Sequence, residues 1–316
     1  MSGFSELLKL DFFLEEIFNL SSVIFYLIAV FFLIAAKWVY DITTPFRLDK
    51  KLLEDDNKAI AVSFSGYFLA VGIIIASVLG DQTNLSLDGW HYSDIGFFGV
   101  LKSKAFLKDL ISSSIWISSG IVLLVLSGLI NDRFILPAFS NRMEMSRDHN
   151  VGVGVCMLAS YLSAALIVRT LVTGNNIAGN LLVEIALLFI YYLAAQIALV
   201  VFAKLYRVTS NYDIDKAMEK DNIAAGLSLG CHCIAISLML SHALFLSNSL
   251  AIFFLYFVNG SIFLLATRWV CDRIFFRKAS ISKEITQDQN WGIALVEGIV
   301  VIAVALNLNS VFSPYF

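Results

Sequence analysis

Glu297 is the residue with the most chemistry to offer. It lies seven positions after Asn290 in the otherwise apolar stretch WGIALVEGIVVIAVALNL. If that stretch is a helix beginning at the asparagine, the carboxylate sits about 10 Å inside it. A carboxylate at such depth in lipid costs roughly 2–4 kcal/mol and faces a partner or water. It is a candidate for binding a proton or a small cation. Lys37, in an earlier apolar stretch, is its candidate ion-pair partner; a protonated, hydrogen-bonded carboxyl is the structural alternative. A second set recurs four times: Asp55/Asp56-Asn57, Asp148-Asn150, Asp221-Asn222 and Asp288-Asn290. Two chemistries fit it. Asn and Asp side chains cap a starting helix, and Asp suits the positive end of its dipole. Four such steps could also form a ring of carboxylates and amides at a pore mouth, attracting cations. Cys231-His232-Cys233 has the composition of a metal site, but residues two apart on a helix point about 200° apart. The thiols cannot then share an ion, so no metal and no cofactor is expected. His232 remains a candidate proton-titrating group. Cys156 and Cys271 complete the four cysteines, which form no secreted disulfide framework.

The elements that must carry these residues follow from composition. Hydrophobic residues make up 59% of the 316 and charged residues 15%, against about 45–50% and 25% in soluble domains. Apolar runs near 21–40, 59–79, 111–131, 151–171, 179–202, 223–246, 250–267 and 291–310 approach the ~20 residues of a bilayer-spanning helix. The chain therefore reads as an all-α, polytopic membrane protein with eight transmembrane helices. The leader, with Glu6, Asp11, Glu15 and Glu16, is acidic, so no cleavable signal peptide is expected. Lys and Arg concentrate in the loops that carry the asparagines, and the opposite side holds Lys9, Lys102, Lys104 and Lys108. Short basic loops stay in the cytoplasm. This places the asparagine loops inside and both termini outside.

Each asparagine loop joins an odd-numbered span to an even one, so the four hairpins enter the membrane with one orientation, as parallel repeats. Loops two and four share Asp132-Arg133 and Asp272-Arg273. Loops one and three share Leu48-Asp49-Lys50 and Ile214-Asp215-Lys216. The order A-B-A-B points to a duplicated four-helix unit. The expected parts are a leader at 1–20, a first unit at 21–171 with an outer-face insertion at 80–110, a connection at 172–178, a second unit at 179–310 and a tail at 311–316. Trp90, Tyr92, Phe97 and Phe98 give the insertion an interfacial character. Small residues follow every asparagine, such as Gly152 and Gly154, or Ala224 and Gly226. They permit close helix approach. An inner ring of even spans would then have a tightly packed centre. Arg169 and Glu184 flank a short outer connection and are expected to pair or snorkel. Asn259 and Gln196 are expected to bond between helices.

Thr44-Pro45, then Asn57, then Ser63-Phe64-Ser65-Gly66 resembles the first hairpin of the YjfL-like inner-membrane proteins, a family labelled as a domain of unknown function. Leu136-Pro137-Ala138-Phe139-Ser140, followed by His149-Asn150, resembles that family's second hairpin. The resemblance implies one copy over 20–171 and a diverged copy over 179–310, in which Thr209-Ser210 replaces the Thr-Pro step. It implies an inner-membrane location and brings no reaction, substrate or catalytic residue.

No HExxH, GxSxG, P-loop or paired CxxC occurs, so an enzyme is not expected. The loops suit anionic lipid headgroups, not nucleic acid. The leading expectation is a conduit or carrier for a small cation through a pseudo-fourfold bundle. The alternative is a non-conducting structural or regulatory scaffold with a membrane or cytoplasmic protein partner. The sequence leaves the oligomeric state open.

Overall fold

In a computed structural model the protein is helical throughout its described residues, which are 20–83, 103–138, 140–173, 181–247, 249–277 and 280–312. Among the described residues, eight helices are long and apolar enough to cross a membrane. They are α1 (Leu20–Thr43), α3 (Lys58–Thr83), α4 (Lys104–Ile130), α6 (Val151–Val172), α7 (Leu181–Thr209), α9 (Ile223–Leu246), α10 (Leu250–Val270) and α12 (Trp291–Phe312). Four short helices fill the loops: α2 (Leu48–Leu53), α5 (Asn141–Arg147), α8 (Ile214–Glu219) and α11 (Ile281–Thr286). The expected spans are all present. α4 begins earlier than expected, inside the expected insertion, and α7 runs on to Thr209. Lys104, Lys108, Lys204 and Arg207 lie in those extra turns, where long cations reach the interface from a helix end. The aromatic residues of the insertion, Trp90 to Phe98, lie outside the described residues, as does the leader.

Each loop is built alike, and its residues explain why. α4 and α10 end in a widened π turn, Asn131–Ile135 and Cys271–Phe275. Asp132 and Asp272, in those turns, accept from the backbone N–H of Asn141 and Ile281 at 2.9 and 2.8 Å, starting α5 and α11. Asp41 and Asp213 do the same near α2 and α8. Each short helix is closed by a residue with positive φ: Asp56, His149, Asp221 and Gln289, at 44° to 56°. The left-handed region is unfavourable for most side chains and tolerated by Asp, Asn and His. The asparagine comes next. In three loops its N–H returns to the carbonyl six residues back, closing the short helix in a Schellman turn.

The even-numbered spans form the centre, but not as a ring. α3 packs on α6, α6 on α9 and α9 on α12, and these are the three most extensive helix contacts. α3 and α12 share no packing interface among the described residues. The expected pseudo-fourfold bundle is therefore an open row with two ends. The odd spans pack along this row, α4 between α3 and α6, α7 between α6 and α9, and α10 between α9 and α12. Small residues set the spacing. A Cβ placed on Gly154 would lie 2.5 Å from the Ala59 carbonyl oxygen, and one on Gly152 2.7 Å from that of Asn222. Backbones this close leave room for hydrogen only, so packing in place of a driving force from water holds the row together. The junction between the halves, α6 on α9, is made like the others, with Thr170 and Ser241 hydroxyls 2.7 Å apart. Gln196 bonds Ser127 across α7 and α4 at 3.1 Å, as expected of an intramembrane amide. Asn259 instead donates to Leu255 of its own helix. Among the described residues no ion pair joins Arg169 to Glu184.

Candidate functional site

The four asparagines are caps. The Oδ1 of Asn57, Asn150 and Asn222 accepts from Ile60, Val153 and Ala225 at 2.9–3.0 Å, and that of Asn290 from Ile293 at 3.3 Å. Their Nδ2 groups do something the sequence did not reveal. Asn57 donates to the Met145 carbonyl at 2.8 Å, Asn150 to Met218 at 2.7 Å and Asn222 to Ile285 at 2.6 Å. Each asparagine thus caps its own span and grips the short helix of the next repeat. Because the spans stand in a row, the asparagines are strung along it and do not encircle an axis. Asp56, Asp148, Asp221 and Asp288 are exposed. Asp221 accepts from the Gly152 N–H at 3.0 Å. The expected pore-mouth ring is not formed, since an open row has no mouth.

Glu297 is fully buried, and its partner is not Lys37. Lys37 pairs with Asp49 at 2.8 Å and Asp41 at 3.6 Å in the first hairpin. Glu297 Oε1 lies 3.4 Å from Arg268 Nε, and its Oε2 accepts from Ser228 Oγ at 2.7 Å. Four spans contribute to this cluster: Tyr206 from α7, Ser228 and His232 from α9, Arg268 from the last turn of α10 and Glu297 from α12. Arg268 is held by the rings of Tyr206 and Tyr212, whose centroids are 4.6 and 5.5 Å from the guanidinium carbon, and donates to Ser210 Oγ at 2.6 Å. A guanidinium over two aromatic faces gains about 0.5–2 kcal/mol per contact, which fixes the charge in place. Tyr206 Oη and Ser228 Oγ are 2.7 Å apart. His232 Nδ1 meets the Ser228 carbonyl at 2.8 Å and its ring lies 4.6 Å from that of Tyr206. Burial pushes the Tyr212 phenol, in the loop after α7, above its ordinary range, so it stays neutral.

Two buried polar atoms of this cluster have no hydrogen-bond partner: Glu297 Oε1 and His232 Nε2. Buried polar groups are nearly always satisfied. These open groups stand beside the Arg268–Glu297 ion pair. Ser210 and Tyr212 are half-buried at the loop surface and lead to Arg268, Glu297, Ser228 and His232 in turn. Beyond His232 lie Ala235, Ile236, Met239, Leu240 and Val301, all buried and apolar. The polar line therefore enters from the loop side and stops inside. A separate groove of about 440 Å³ runs along α4 near Ser114 and Ser118, but one helix lines it and no charges converge there. Cys231 packs on Gly298, while Cys233 belongs to a different cluster of the core. The two thiols face different neighbours, as the 200° separation requires.

Arg268, Tyr206, Ser228, Tyr212 and Ser210 were missed in the sequence, where Arg268 is one more basic residue beside a loop. The signal was present in the repeats. Counting from the matched loops, Tyr206, Ser228, His232, Arg268 and Glu297 stand where the first half has Tyr40, Ser63, Tyr67, Gly128 and Met157. Three positions change character together, and they converge in space.

A duplicated array of apolar helices, with a buried arginine–glutamate pair in the second copy, defines an integral membrane protein, multi-pass and built from two homologous units. A family profile described as Domain of Unknown Function (DUF350) matches residues 12–172 and again 179–312. The chain belongs to that family and carries its domain twice. It is similar to a "UPF0719 transmembrane protein" of Aquifex aeolicus (strain VF5), 21% identical over 271 residues, which cover 83% of this chain and 90% of that relative. No solved structure matches it.

Proposed function

We propose that the protein is a membrane carrier for a proton or another small cation, with Glu297 as the exchanging carboxylate. The observation that carries this is the buried Arg268–Glu297 pair, whose Oε1 accepts no hydrogen bond. An ionisable residue inside a membrane span marks an ion or proton pathway more often than it serves packing. When Glu297 is ionised, Arg268 neutralises it. When a proton or cation binds the carboxylate, the pair loosens, and the Tyr206 and Tyr212 rings with Ser210 keep the guanidinium in place. His232, joined to Ser228 through its backbone carbonyl, is the next group along the line. Entry from one side and closure on the other favour a carrier over an open conduit.

We read the entry side as the cytoplasm of an inner membrane, with both termini outside; the basic asparagine loops support this. Lipid headgroups meet those loops, and we read the chain as non-enzymatic. A scaffold is the second reading, supported by the first half, where Gly128 and Met157 stand in place of the charge pair. Purified protein in liposomes decides between them. Wild type is expected to move protons, alkali ions or polyamines above the rate of empty liposomes, and Glu297→Gln to lower that rate at least tenfold. No flux of any of these ions in the wild type would sink the carrier.

A further inference from the structure

The row of even spans is built from one contact used three times, and its two ends are the two halves of that contact. We propose that α12 of one molecule docks on α3 of a second copy of this chain, continuing the row head to tail. Three layers of the internal contact carry this. In the first, the asparagine amide of one repeat donates to a short-helix carbonyl of the next: Asn57 to Met145, Asn150 to Met218 and Asn222 to Ile285. At the ends, Asn290 has no next repeat, and no side-chain amide reaches Leu52, which holds the position of Met145, Met218 and Ile285, among the described residues. Asn150 shows that one amide serves both purposes, since its Nδ2 also donates to Glu144 of its own loop at 3.2 Å. Asn290 makes only the equivalent bond, to Glu284 at 2.9 Å, which leaves its second N–H for a neighbour.

In the second layer, the residue two after the asparagine packs on the residue four after the next one. Ala59 lies on Gly154 and Gly152 on Gly226, and Ala224 and Ala294, both 0% exposed, hold the third pair. The leftover halves are Gly292 and Ala61. A Cβ on Gly292 would meet nothing but its own Asn290 side chain within 4 Å, and both residues are partly exposed. In the third layer, Gly66 packs on Leu158, Ala159 on Gly230 and Cys231 on Gly298. The leftovers are Ile299, 54% exposed, and Ser65, also exposed. In the first two layers each internal contact leaves its complementary half open at the opposite end; in the third, every internal pair includes a glycine and the leftover pair, Ile299 and Ser65, does not, so those side chains must repack where the copies meet. Such a contact is heterologous: it joins unlike surfaces and either closes into a ring or runs on.

Paired cysteines test this in native membranes. Ala61→Cys and Gly292→Cys are made on separate, differently tagged chains and oxidised after co-expression; Ser65→Cys and Ile299→Cys form an independent pair. The natural cysteines are all buried and give a low background. Disulfides need Cα atoms about 4.4–6.8 Å apart, so either pair forms only if the two end helices approach closely. The expected result is a covalent dimer containing both tags only when both partners are present, for at least one pair. Dimers from a single variant alone, or no mixed dimer from either pair, overturn the proposal. Native mass spectrometry of the wild type from lipid nanodiscs is the independent reading: dimers or larger species support it, and a strict monomer overturns it.

Discussion

The two halves hold the same cage and fill it differently. In the first, Tyr40, Tyr67 and Tyr161 form a ring cluster with centroids 5.0 and 5.4 Å apart along the series. A Cβ on Gly128 would lie 2.8 Å from the Tyr161 hydroxyl, so that phenol covers the place where the second half has Arg268. Met157 replaces Glu297 and takes a weak 3.7 Å contact from Asn141. This cage is neutral. In the second half Val301 stands where Tyr161 does, His232 where Tyr67 does, and a guanidinium and a carboxylate enter the cage. Both halves fold into the same four-helix unit, so neither the charge pair nor the histidine is needed for the fold. A buried pair is weak evidence for stability, since apolar replacements are often as stable. Its presence in one copy alone is the contrast on which the proposed carrier role rests.

Swapping the contents of the two cages breaks or sharpens this comparison. The largest effect is expected from Arg268→Met, which leaves Glu297 buried without its countercharge and costs about 3–5 kcal/mol. Arg268→Met with Glu297→Met makes the second cage neutral like the first, and most of that loss is expected to return while ion flux stays absent. Thermal unfolding in detergent checks the first result, and liposome flux the second. If the double variant is as unstable as the single, the residues do not act as a pair. The reverse transplant is smaller. Met157→Glu places a carboxylate opposite Gly128 with no guanidinium, an expected loss of about 2–3 kcal/mol. Adding Gly128→Arg and Tyr161→Val, which clears the phenol, is expected to recover part of it.

A still smaller contrast separates the closed repeats from the open one. Asn222→Ala removes a cap, about 1 kcal/mol, and strips the Ile285 carbonyl of its partner, about 1–3 kcal/mol more where no water reaches. Asn290→Ala removes a half-buried cap and a bond within its own loop, to Glu284, but none to another repeat, and about 0.5–1 kcal/mol is expected. Amide exchange at α11 should rise for Asn222→Ala and barely move at α2 for Asn290→Ala in a monomeric detergent preparation. Equal effects would mean that the inter-repeat amide bond contributes nothing.

These contrasts also show where the sequence stopped being readable. The spans were legible because nothing else explains runs such as LSSVIFYLIAVFFLIAA, and the caps because four asparagines stand before four such runs. The order of the spans in space was not. α6, α9 and α12 are apolar all round, so no polar face tells which side meets which neighbour, and amphipathicity carries no information there. The ring was a guess from symmetry, and an open row satisfies the same repeat. Glu297 was legible from its isolation in α12. Arg268 was hidden because it stands at a span end, where an arginine ordinarily reaches outward. Tyr206 and Tyr212, which hold it inward, carry no signal until the loop between α7 and α8 is folded.

The smallest expected effect compares the acid sensitivity of the first and third loops. The Lys51 ammonium, 2.7 Å from Asp55, holds that carboxyl below its ordinary value of 3.8. Asp213 is held low first by the Lys216 backbone N–H and then by its ammonium. A lowered folded value adds stability above the unfolded value, near 3.8, and that stability is lost as pH falls through the folded value. Both groups face solvent, so screening keeps the effect slight. The difference lies in what each lysine touches. Lys51 also donates to the Ser146 carbonyl of the next loop at 3.0 Å, whereas Lys216 acts only within its own turn. Lys51→Met should therefore flatten the fall in melting temperature between pH 5 and pH 3, and Lys216→Met should flatten it less because the backbone N–H remains. An equal response from the two variants would show that the Lys216 backbone N–H does not hold Asp213 low.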